Sequence, residues 1–250
     1  MNNILGNMPP VVKNLLILNV IMFIITYIGE MQGIPMTTKL GGYVFSSPLF
    51  EPYQMVSHFF MHGGVFHIFF NMFALVIFGS ALEQVWGPKR FFIFYIATAI
   101  GAFIVHQLVG YIELINIKNQ LIELGHDISR LDNYIIKSVK ANPEYRVPMG
   151  DTLLQSYADR VTVPVVGASG AVYGVLVGFG YLFPNTQLML LFPPIPIKAK
   201  WLVTILVGAA FLFSIQRNPD DNTAHLAHLG GAVVGFIIVF FWQKNKRKFY

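Results

Sequence analysis

Cysteine is absent from this chain and charge is scarce. Without cysteine there is neither a disulfide framework nor a thiol nucleophile, and the redox compartment stays open. Only 12% of the 250 residues are charged and 55% are hydrophobic, whereas soluble domains carry about 25% charged residues. With a mean hydropathy of +0.59, this composition excludes an ordinary soluble globule. It predicts an all-α polytopic membrane protein, one membrane domain over residues 1–250. Net charge is +5, but the basic residues sit between and after apolar runs, where they set topology; nucleic acid is not an expected partner. No small-x-small cleavage site follows the apolar stretch from Leu15 to Ile28, which reads as a retained first helix.

Roughly 20 apolar residues cross a ~30 Å hydrocarbon core. Six segments qualify, at about 11–29, 65–82, 91–112, 163–183, 200–216 and 223–242. Gly87-Pro88-Lys89-Arg90 turns the second into the third, and Pro193, Pro194 and Pro196 precede the fifth. Lys13, Lys89, Arg90, Lys198, Lys200, Lys244, Lys246, Arg247 and Lys248 then fall on one side, expected to be cytoplasmic. The outer loops are poor in positive charge or balanced, as in Arg217 with Asp220 and Asp221. Both termini are expected inside, and spans two, four and six run from outside to inside.

Residues 113–160 form the one sizeable extramembrane segment, a helical insertion between the third and fourth spans. Leu114, Ile117, Leu121, Leu124, Ile128, Leu131 and Ile135 recur in steps of three and four, the spacing of an amphipathic or coiled-coil helix. Gly125 and Pro143 interrupt or end it. The segment reads either as an extension of span three that folds back or lies on the membrane, or as a self-association or substrate-docking arm. It has too little hydrophobic sequence for an independent domain.

Polar groups inside spans are costly, and here they converge in depth. Ser169 is expected one to two turns below the start of span four, with His228 at similar depth in span six and His67 with Asn71 in span two. Ser169 is the candidate nucleophile and His228 the base that would take its proton. No membrane-embedded carboxylate is placed to orient the imidazole, so a dyad is expected. Tyr173, one turn after Ser169, shares its face and is placed to pack on the ring. His67 and Asn71, at i and i+4, supply donors for an oxyanion hole together with the Ser169 amide; a mutual helix bond is the alternative. Gly167-Ala168-Ser169-Gly170 alone is helix packing more often than catalysis. Gly231 and Gly235 after His228 are expected to let span six approach span four. His225, one turn nearer the surface, reads as structural.

His58, His62 and His67 raise a rival metal reading, but Phe59 stands where a zinc protease needs its glutamate. No metal and no organic cofactor are expected, and His58 and His62 are assigned to the loop entering span two. A transporter would show paired charges or inverted symmetry, and no such repeat is present.

Taken together and in order, four motifs are specific: His62-Gly-Gly-Val-Phe-His67-Ile-Phe-Phe-Asn71, Glu83-x-x-x-Gly87, Gly167-Ala168-Ser169-Gly170 with Tyr173, and Ala227-His228-Leu-Gly-Gly231. Through them the chain resembles the rhomboid intramembrane serine proteases in their six-span bacterial form, from about residue 11 to 243 without the insertion. The resemblance implies a six-helix rhomboid-like bundle that cleaves transmembrane segments of membrane proteins in the lipid bilayer. Ser169 would act as nucleophile and His228 as base, with His67, Asn71 and the Ser169 amide around the oxyanion. It also implies a cavity open to the outer face, with span five and a loop at about 213–224 as gate and cap. A catalytically inactive relative that binds membrane clients is the alternative. Tyr53-Gln54 stands where many members carry Trp-Arg, which puts the anchoring of the first outer loop in question. The compact form points to a bacterial plasma membrane.

Overall fold

The computed structural model describes residues 8–142, 149–190, 194–216 and 224–246. Ten α-helices and one short 3-10 helix (His58–Phe60) are described, the α-helices being α1 (Pro10–Met31), α2 (Met36–Leu40), α3 (Gln54–Ser57), α4 (Val65–Trp86), α5 (Pro88–Glu123), α6 (Ile128–Ala141), α7 (Thr152–Thr162), α8 (Ser169–Leu182), α9 (Ala199–Gln216) and α10 (His225–Lys246). One antiparallel hairpin pairs β1 (Gln187–Met189) with β2 (Pro196–Lys198), Leu188 opposite Ile197. This is a helical membrane fold: α1, α4, α5, α9 and α10 are each long and apolar enough to cross a bilayer. Most of the loop at 213–224, Pro143, Pro193 and the end of the basic tail lie outside the described residues.

The helix expected over 163–183 is shorter. It begins at Ser169 and has 14 residues. Val163, Val165 and Val166 are β-branched, and Pro164 keeps the residue before it out of the helical region. The segment is instead extended, and Val165 exchanges two backbone hydrogen bonds of 2.8 Å with Gly42. Gly167 follows at φ 116°, a conformation other residues rarely adopt, and so turns the chain into α8. Apolar content alone does not separate such a buried strand from a helix.

The chain forms two compact units. The first comprises residues 1–20, 64–105 and 168–250. Its α4 carries a π turn over Leu75–Gly79, and the buried Glu83 closes the start of α1. The Glu83 carboxylate accepts hydrogen bonds from the amides of Val11 and Val12 at 3.0 and 2.8 Å, two of the N–H groups that a helix start leaves without partners. Gly87, at φ 78°, ends α4 and lets Pro88 open α5.

The second unit comprises residues 21–63 and 106–167. The insertion folds back on itself. Gly125, at φ 84°, ends α5 in a Schellman turn, with His126 N–H donating to the Leu121 carbonyl and Gly125 N–H to that of Ile122. Asp127 and Asp151 cap α6 and α7. Leu114, Leu121, Ile135, Val139, Tyr157 and Val161 share a small core with Val44, and Ile117, Ile128 and Leu131 pack on it. Leu124 departs from the expected stripe and is exposed, because it sits at the Schellman turn. Arg160 forms an ion pair with Glu113.

The loop between α2 and α4 is held by buried side-chain amides. Gln107 on α5 accepts from the Phe45 amide and donates to the Tyr43 carbonyl, at 2.8 and 2.7 Å. Gln54, 1% exposed, accepts from the Glu51 amide and donates to the Lys39 and Leu49 carbonyls. It therefore anchors the loop from within, while Tyr53 is exposed. The His58 ring donates through Nδ1 to the Gln54 carbonyl at 2.6 Å, and the His58 carbonyl accepts from the Gly167 amide at 2.9 Å.

Burial pulls the His58 imidazole down from 6.5 to about 4, against the smaller opposing effect of its bond to Gln54. The folded ring stays neutral while the unfolded chain takes up a proton below 6.5. Stability is thus full above that pH and falls toward pH 4, by up to about 3 kcal/mol. Thermal unfolding in detergent is expected to show this decline between pH 6.5 and 4, and His58→Gln should flatten it. Equal slopes for the two proteins would contradict the assignment.

Candidate active site

The first unit brings Ser169, His228 and Tyr173 together. Ser169 is the first residue of α8, and His228 lies one turn into α10. Ser169 Oγ is 2.8 Å from His228 Nε2. For the hydroxyl to donate, Nε2 must be unprotonated, which leaves the ring proton on Nδ1. The Tyr173 ring stacks on the imidazole with centroids 4.4 Å apart and planes 8° from parallel. His228 is buried and Ser169 half-buried, so the pair sits in surroundings where its hydrogen bond is weakly screened.

Small residues make this approach possible. A methyl group on Gly231 would collide with the Gly170 carbonyl, and one on Gly235 would lie 2.8 Å from the Gly174 Cα. The two contacts advance by four residues in both helices, so α8 and α10 run parallel with their backbones touching. On its other side α8 meets α5, where Gly170 faces Ala102 and Gly174 faces Thr98. Gly230 meets the Ala102 backbone, which closes a junction of three helices beside Ser169.

Because α8 begins at Ser169 rather than at 163, the serine stands at a helix N-terminus. The first main-chain bond of this helix runs from the Val172 amide to the Ala168 carbonyl. The amides of Ser169, Gly170 and Ala171 therefore have no acceptor within α8, and the positive end of the helix dipole lies at the hydroxyl. Such a terminus suits an anion. The apolar character of 163–168 hid this feature in the sequence; Pro164 and Gly167 were the available signals.

His67 and Asn71 lie in the first two turns of α4, which packs against α8. Asn71 is buried, and its amide donates to the His67 carbonyl at 2.9 Å. An amide has a second N–H, so this bond leaves one donor to offer. His67 is half-buried. His62 Nδ1 lies 3.4 Å from the Phe60 carbonyl. Among the described residues, no three histidine or carboxylate side chains gather where a metal ion would be held.

A family model, the Rhomboid domain, matches residues 49–113 and 147–245. The gap falls on the end of α5 and on α6, the inserted hairpin. Over 200 residues the chain is 26% identical to Rhomboid protein 1, mitochondrial, of Saccharomyces cerevisiae, covering 77% of this chain and 42% of that protein. It is also 26% identical over 200 residues to RHOMBOID-like protein 12, mitochondrial, of Arabidopsis thaliana, covering 79% and 48%. The chain spans less than half the length of these relatives. Their names place them in mitochondria, so they lend no support to the expected bacterial plasma membrane or to the orientation of the termini.

The glycine contact generates a direct expectation. Gly231→Ala should force α8 and α10 apart and lower the thermal midpoint by several degrees, since overpacking costs about 1–3 kcal/mol. Gly208→Ala on α9, where an added methyl group meets nothing within 4 Å, should leave it unchanged or slightly raised. Thermal unfolding of both variants in one detergent tests this, and equal midpoints would contradict it.

Proposed function

Since the chain belongs to the rhomboid family, we propose that it is a serine endopeptidase of the membrane interior. Its substrates would be transmembrane segments of other membrane proteins, met in the lipid bilayer. The observation that carries this reading is the 2.8 Å approach of Ser169 Oγ to His228 Nε2 at the N-terminus of α8.

In this mechanism Ser169 Oγ attacks the peptide carbonyl carbon while its proton passes to His228 Nε2. The carbonyl oxygen becomes an oxyanion held by the Ser169 amide, Asn71 and His67, with the α8 dipole favouring the charge. Collapse of the tetrahedral intermediate breaks the C–N bond, and His228 gives the proton to the departing amine. A water then loses a proton to His228 as it attacks the resulting ester; as the C–O bond breaks, His228 returns that proton to Ser169 Oγ, and the released carboxylic acid ionises to a carboxylate. Tyr173 keeps the ring in plane throughout, and Gly167, Gly170, Gly231 and Gly235 keep the helices close enough for the transfer.

The protein is multi-pass. We place the sides carrying Lys89, Arg90, Lys198, Lys200 and Lys244 toward the cytoplasm, with the Ser169 end open to the opposite face. The compact form is the reason for proposing a bacterial plasma membrane as its host.

Two measurements test the chemistry. A fluorophosphonate probe should label the folded protein, and Ser169→Ala should abolish labelling; a folded protein that fails to label would favour a client-binding role. Asn71→Ala should lower kcat about 10²–10³-fold with little change in KM, the loss of one oxyanion donor. An unchanged kcat would remove Asn71 from the oxyanion hole.

A further inference from the structure

A stacked neighbour fixes the plane of a ring but leaves it free to slide and turn within that plane. Tyr173 therefore holds the His228 plane and does not by itself aim Nε2 at Ser169. A second ring adds a constraint within that plane. His225, one turn earlier on the same face of α10, stands almost perpendicular to the His228 ring, at 86° with centroids 5.9 Å apart. The Phe213 ring of α9 leans on His225 in turn, at 5.3 Å and 37°. A continuous series of rings thus runs from α9 through His225 to the imidazole beside Ser169.

The outer member of that series sits on a lightly held helix. In α9 only Ala199 and Ala210 are buried, while Phe211, Leu212, Phe213 and Ile215 are exposed. A helix with so little buried surface shifts at low cost, and a shift of its C-terminal end moves Phe213 first. We propose that His225 is a positioning residue that couples the seat of α9 to the orientation of His228. The inference rests on the Ser169–His228 chemistry proposed above. It gives His225 a role beyond packing and makes the aim of the base depend on how α9 is placed.

The test is the rate of fluorophosphonate labelling in detergent for wild type, His225→Ala, His225→Phe, Phe213→Ala and the double alanine variant. His225→Ala should slow labelling about 3- to 10-fold, the loss expected when one aromatic pair no longer orients the base. His225→Phe restores a ring of similar size without the imidazole and should return most of the rate, which simple loss of fold would not allow. Phe213→Ala should slow labelling as well, and the double variant should be no slower than the slower single one, because both act through one contact. If His225→Ala does not fold, Phe213→Ala and His225→Phe still decide. A wild-type rate in Phe213→Ala, no rescue by phenylalanine, or additive losses would each overturn the coupling. A wild type that does not label overturns the protease reading and this inference together, whereas a labelled wild type with unaffected variants overturns this inference alone.

Discussion

Backbone contact between α8 and α10 is the constraint on which the rest of this structure depends. A serine hydroxyl and an imidazole meet at 2.8 Å only because Gly231 and Gly235 let one helix lie directly on the carbonyl and Cα of the other. Within lipid no hydrophobic effect pushes helices together, so close packing of small residues has to supply the attraction. The same contact buries His228, in surroundings where its hydrogen bond to Ser169 is weakly screened. Tyr173 and the helix start then come into play because the two backbones are already so near.

A second layer of order acts before α8. The extended segment 163–167 is bonded to Gly42 and to the His58 carbonyl, and the loop that offers those partners is itself held by Gln54 and Gln107. Polar side chains that satisfy loop main-chain groups take the place of the regular ladder that a helix or sheet would provide. Glu83 does related work in the first unit, where a buried carboxylate is matched by two helix-start amides. Each of these side chains fixes main chain through hydrogen bonds without being required to touch a substrate.

Much of this was legible. The apolar runs located α1, α4, α5, α9 and α10 to within a few residues, except that α5 continues to Glu123 without a break into the insertion. The stepwise leucines and isoleucines of 114–135 marked helix with a break at Gly125, where the structure has a left-handed turn; their spacing leaves open whether the segment folds back or lies on the membrane. That Ser169, Tyr173 and His228 meet was readable from their spacing and depth. What escaped was conformational: Val163 to Val166 is as apolar as a span but β-branched and interrupted by proline, so the serine stands at a helix start instead of inside one. Partners distant in sequence also escaped, because nothing near Glu83 points to Val11 and nothing near Gln107 points to Tyr43.

The most direct measurement is an experimental structure of the protein after reaction with a fluorophosphonate. The account predicts a covalent bond from phosphorus to Ser169 Oγ, His228 Nε2 within about 3 Å of the adduct, and the phosphonyl oxygen facing the first amides of α8. An adduct on another residue, or a His228 ring turned away from Ser169 with lipid between them, would contradict it.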